Sequence, residues 1–185
     1  PEQVWQSWVD YNSALGQAVS VGSIVREGDT LVIQNATFAS GSAEDAASAQ
    51  VTMPVVRLRD LGNGTVDTQI PEPIVFSTKS TDPAEGKVTT TNGHVTMTDQ
   101  SMIVSGDPGA MSYAVKLGSA AVTVDEITND GKPAPTKITM SLTEAVGAYQ
   151  IAKAAGQKIT STMKARSAEL SVSGDDPETG GKFDM

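Results

Sequence analysis

Hydrophobic and polar positions change period once along the chain, at Gly16. Before it, Val4, Trp8, Tyr11 and Leu15 follow the i, i+4, i+7, i+11 spacing of one helical face, and Trp5 widens that stripe. Pro1 suits a first helical position, Glu2 the positive end of the dipole, and Gly16 the left-handed residue after a last turn. The spacing therefore predicts an amphipathic helix over 1–15. With Trp5, Trp8 and Tyr11 it carries three of the eight aromatic residues, so it is expected to pack on whatever follows.

After Gly16 the period is two. Leu31 and Ile33 alternate with polar partners, and so do Val51, Met53 and Val55; Met111, Tyr113, Val115 and Leu117; and Ala120, Val122 and Val124. The pattern returns at Ile138, Met140 and Leu142, at Ile159, Ser161 and Met163, and at Leu170 and Val172. Turn signals separate these runs at Glu27-Gly28-Asp29, Gly62-Asn63-Gly64, Asn92-Gly93, Gly106-Asp107-Pro108-Gly109, Asn129-Asp130-Gly131 and Gly174-Asp175-Asp176-Pro177. Connections this short leave no room for helical crossovers, so consecutive strands are expected to be antiparallel neighbours with one solvated face. The fold expected is a single mainly β domain over 1–185. Its N-terminal amphipathic helix packs on a large curved antiparallel sheet over 18–185, a meander that is two-layered or an open half-barrel.

Two segments are ambiguous to pattern alone. Ser40 to Ser48 reads as a loop or short helix, and Thr143 to Ala155 has helical spacing weakened by Gly147. After the Asp176 to Gly181 turn, Lys182 to Met185 opens a new alternation. Together with the start at Pro1, this leads to the expectation that the chain is the N-terminal part of a longer exported protein.

Composition narrows the chemistry. The 185 residues are 38% hydrophobic but only 4% aromatic, a lean supply of large core side chains. A net charge of −9 with scattered acidic residues disfavours nucleic acid, which needs clustered Lys and Arg, and also plain docking on an anionic membrane. No apolar run approaches the length of a membrane span. With no cysteine there is no disulfide, thiolate nucleophile or iron–sulfur ligand, and the one histidine, His94, has no evident nucleophile or orienting carboxylate in sequence.

No serine sits in a G-x-S-x-G elbow. Asp125, Glu126, Asn129 and Asp130, like Asp175, Asp176 and Glu178, lack calcium-loop spacing and read as turn chemistry. No catalytic residue, metal site or cofactor is expected. A hydrolase built on spatially paired carboxylates ranks last, because the sheet offers few aromatics for stacking sugars.

Glu2 to Trp8 with Tyr11 and Gly16, then Val21-Gly22, Arg26 to Leu31, Gly62 to Val66, and Gln100 to Tyr113 stand in an order that resembles an alphaproteobacterial family of exported proteins catalogued only as a domain of unknown function. The resemblance implies a removed signal peptide and a periplasmic location. It carries no catalytic residues.

Sheet width supplies the functional expectation. Ten strands at about 4.8 Å make a sheet about 45–50 Å wide, whereas a helix is about 10–12 Å across and covers two or three strands. The rest of the apolar face needs another cover. The leading expectation is a non-enzymatic domain that shelters an apolar ligand, such as a lipid, in its curved sheet. Trp5, Trp8, Met102, Met111, Tyr113 and Met140 are the expected contacts. The alternative is an envelope scaffold or assembly module that binds a protein partner through an edge strand or a sheet face.

Overall fold

The computed structural model describes residues 1–42, 45–152, 158–175 and 182–184. It is mainly β, with one N-terminal helix packed on a large antiparallel sheet. Helix α1 runs Glu2–Ala14, with Pro1 at the cap position and Gly16 in the left-handed region at φ 77°. Its inward face is centred earlier than the spacing predicts. Val4, Trp5 and Ser7 are buried, while Leu15 is 57% exposed beyond the last turn.

The strands are β1 (Ala18–Ser20), β2 (Ser23–Glu27), β3 (Thr30–Ser40), β4 (Ala47–Asp60), β5 (Val66–Gln69), β6 (Ile74–Thr81) and β7 (Val88–Thr98). They continue with β8 (Ser101–Asp107), β9 (Ala110–Asn129), β10 (Lys132–Ala134), β11 (Thr136–Ala152), β12 (Lys158–Lys164), β13 (Ser167–Asp175) and β14 (Lys182–Asp184). Every pairing is antiparallel.

The β4–β5–β8–β9–β7–β6 pairings close a ring that is not a barrel, because β5 and β6 share one edge of β4, and β8 and β7 share one edge of β9. Register shows why. Ser20 pairs Thr37 and Ser23 pairs Gln34 without a break, so β1 and β2 are one pass of chain interrupted locally. The same holds for β12 and β13 against β11, while β5 and β6 slip by one residue against β4. The sheet is thus an up-and-down meander of long interrupted passes, as the short turns predict.

The interruptions line up. In β3 and β4 the ladder skips Asn35 and Pro54, which face each other between Gln34↔Val55 and Ala36↔Met53. Between β9 and β11 it skips Gly118 and Glu144. Residues 70–73 and 99–100 do the same for the two central passes, and residues 165–166 for the last. Asn35, Asp99 and Glu144 are left-handed there, at φ 51°, 48° and 47°. Proline is tolerated at position 54 because it donates nothing where the ladder is already open.

Neighbouring passes are stitched along this crease. Gly22 lies against the Asn35 side chain, and Ile70 N–H donates to Gln100 Oε1 at 2.6 Å. The Asp99 carboxylate lies over Gly118, and Arg166 pairs with Glu144.

A skipped residue flips the inside–outside alternation, and because every pass except β5–β6 flips at the same level, the same face stays apolar on both sides. In β5–β6 the one-residue slip against β4 cancels the flip, so Thr68 and Ile74 are both inward. One core cluster accordingly contains odd-numbered Leu31 and Ile33 beside even-numbered Ala36 and Phe38. Met53 packs against it with Val56 and Leu58, and Met97 with Met102 and Val104. Val55, grouped by simple alternation with Val51 and Met53, is therefore on the other face from the buried Val56.

Two further expectations are corrected, and the described part of Ser40 to Ser48 follows the loop alternative. Asn92-Gly93 is not a turn but lies within β7 opposite a bulge at Asp125 of β9, and Gly93 lets the Phe76 ring lie against the backbone. Thr143 to Ala152 is strand, not helix, held on both edges by β9, β12 and β13. Between β3 and β4 the described residues of the Ser40–Ser48 segment form no helix; residues 43–44 lie outside the described residues, as does the whole of the Asp176 to Gly181 turn.

Candidate functional site

The inner face divides into a covered and an uncovered part. Trp5 meets Phe38 of β3 edge-on with ring centroids 6.2 Å apart, while Trp8 Nε1 donates to the Tyr113 hydroxyl of β9 at 3.2 Å. The two indoles also touch each other, with ring centroids 6.3 Å apart, and together they link the helix to β3 and β9. Beneath it lie Leu31, Ile33, Val56, Leu58, Ile70 and Val104, all buried.

Of the six expected contact residues, five belong to this covered part. Trp5, Met102, Met111 and Tyr113 are buried and Trp8 packs against them. Met140 stands apart, 48% exposed, on the same face but beyond the crease.

Tyr113 and Tyr149, directly paired across β9 and β11, mark the boundary. Burial raises the Tyr113 phenol above its ordinary pKa against the opposing effect of hydrogen bonds from Trp8 and Ser7. Burial, and then the neighbouring Tyr113, raises that of Tyr149 further. Its hydroxyl is turned to Met102 Sδ at 3.7 Å.

Past the tyrosines the face is uncovered and uncharged. On β9 it presents Leu117, Ala120, Val122 and Val124, and on β11 Ile138, Met140, Leu142, Ala145 and Gly147, of which Ala145 is buried among its neighbours. On β12 and β13 it presents Ile159, Ser161 and Met163, then Ala168, Leu170 and Val172. Met163 and Leu170 are 67% and 64% exposed, an unusual setting for large apolar side chains. Where Ala145 and Gly147 make the floor low, a cleft of about 250 Å³ opens between Val115 and Leu117 on one side and Ser161 and Met163 on the other, ending at Tyr149.

Strand alternation alone does not predict this cleft; its signal is the run Ala145-Val146-Gly147, small residues at two successive inward positions inside a segment that also has helical spacing.

The opposite face is polar. His94 Nδ1 lies 2.7 Å from Asp125 Oδ2, a partner that sequence alone did not reveal. The other carboxylates of that cluster are engaged locally: Glu126 accepts from Asn92, and Asp130 accepts the Val88 N–H at 2.8 Å. Asn129 accepts from Thr89 in the same way. Among the described residues no group of three His, Asp or Glu converges as a metal site would require. Among the described residues no helix is long and apolar enough to cross a membrane.

No protein-family model, no curated protein and no solved structure matches the chain.

Proposed function

We propose that this chain is a non-enzymatic binding domain whose uncovered inner face holds an apolar ligand, a lipid in the simplest case, and that it works in the periplasm. The observation that carries the reading is the strip formed by Met140, Leu170, Met163 and Ile159. Each is about half or more exposed, all lie on the face that is core elsewhere, and no charged side chain stands among them. Uncompensated apolar surface of this kind is costly in water, and a ligand that removes it gains about 25 cal/mol per Å².

Binding is favoured over catalysis because the His94–Asp125 pair is on the polar face, away from the cleft, and neither tyrosine hydroxyl is free to enter it. The periplasmic assignment rests on the family resemblance.

Protein purified from its native host, extracted into organic solvent, should release hydrocarbon-bearing molecules detectable by mass spectrometry. Leu170→Glu should abolish their retention. Native protein that is ligand-free and binds no alkyl probe overturns the reading.

The protein-binding alternative is supported by the outer edge of β1 and β2. It pairs with nothing but β3 among the described residues, and it carries exposed Ile24 and Val25. Cross-linking that recovers one partner through Ile24, with no lipid released on extraction, would favour it.

A further inference from the structure

Resting on that reading, the geometry points to a more specific occupant of the cleft: the methyl end of one unbranched acyl tail of a lipid, inserted along β11 with its terminus against Tyr149.

Width decides the class. The floor is a single strand, so the walls on β9 and β12 stand two strand spacings apart, about 9.6 Å between backbone axes. A column of single carbons midway lies about 4.8 Å from each axis, within reach of the wall side chains at van der Waals contact. An α-helix, about 10–12 Å across, does not fit. An extended peptide would fit in width but would bring N–H and C=O groups onto a face whose own backbone groups are already paired in the sheet. Each group left unsatisfied there would count against binding. A hydrocarbon chain brings no such groups.

Orientation follows from the two ends. At Tyr149 the slot is blind: that ring stacks on Tyr113, which is 1% exposed and hydrogen-bonded to Trp8. In the other direction the floor rises through Leu142 to half-exposed Met140, which opens onto the uncovered face. The polar end of the molecule therefore leaves past Met140, where water and headgroup are compatible. The floor residues set the depth, because Ala145 and Gly147 are the only small inward side chains between Leu142 and Tyr149.

The test uses the full chain and dodecanol carrying a diazirine at its terminal carbon. After photolysis, peptide mapping should find adducts on 115–117 and 145–149, while a dodecanol with the diazirine next to the hydroxyl should label around Met140 and Leu170. Ala145→Leu, which fills the slot, should weaken binding of dodecanol at least tenfold. Ala114→Leu, on the opposite face of β9, should bind as the parent does.

Reversed or scattered adducts overturn the orientation. Unchanged binding by Ala145→Leu with photolabelling confined to Met140 and Leu170 overturns the slot while leaving the apolar-face reading intact. Absence of any dodecanol binding overturns both. Should Ala145→Leu fail to fold, the two photolabels alone decide.

Discussion

The rings of Tyr113 and Tyr149 lie parallel, 7° apart in plane and 4.3 Å between centroids, on strands whose residues pair directly. One side of this stack is core and the other side is the cleft, so the same contact both closes the interior and ends the slot. It also gives the protein an alkaline limit. Both phenols are held neutral by burial, with folded pKa values above the unfolded value of about 10. The corresponding stability is fully present below pH 10 and is lost as pH rises from there towards the folded values. Equilibrium unfolding followed between pH 8 and 12 should show a decline starting near pH 10, and Tyr149→Phe should make it shallower.

Thr68 sits on the inner face of β5, fully buried between Leu58 and Met102, and its hydroxyl has no hydrogen-bond partner. A desolvated, unpaired hydroxyl costs about 1–3 kcal/mol. Thr68→Val keeps the shape and removes the cost, so it should stabilise by about 1 kcal/mol, a rise in Tm of about 2–4 °C by calorimetry. An unchanged or lower Tm would contradict this account of the core.

At Gly93 an added Cβ would fall against the Thr123 carbonyl and the Phe76 ring. Gly93→Ala should therefore cost about 1–3 kcal/mol in urea unfolding, the usual penalty for overpacking. The double variant Phe76→Leu, Gly93→Ala should recover part of that loss, because it removes one of the two obstacles.

The crease makes its own demand at Asn35, where φ is 51°. A β-branched residue in that region costs about 1–2 kcal/mol. Asn35→Val should destabilise by that amount, whereas Asn35→Gly should stay within about 0.5 kcal/mol of the parent, the comparison being made by midpoint in urea. Equal midpoints for the two would mean that the left-handed geometry is not what the position requires.

Much of the architecture is legible in the sequence because its causes are local. The switch from helical to twofold period at Gly16, the Trp5 and Trp8 anchors, and turns such as Glu27-Gly28-Asp29 each follow from neighbouring residues alone. The crease is different. Its trace is present, since the inward run Met111 to Leu117 resumes at Ala120 and not at Ser119, but the meaning of that gap depends on Glu144 standing opposite Gly118 in another strand. Asn92-Gly93 differs from a turn for the same reason: a dipeptide that suits a hairpin turn also suits a strand where the Phe76 ring of β6 needs the space over Gly93 and the neighbouring strand bulges at Asp125. The uncovered strip, likewise, depends on where the helix stops, which no single-strand pattern contains.

The aligned skips also act as a counting device. Each pass that flips, all but β5–β6, must place its odd residue at a common level, so the number of residues from turn to crease is fixed strand by strand. Deleting Gly118 alone would turn the rest of β9 over and put Thr123 and Asp125 where Val122 and Val124 now face inward. Changes of length in this chain are therefore admissible in the turns, or in matched sets across neighbouring strands, and nowhere between.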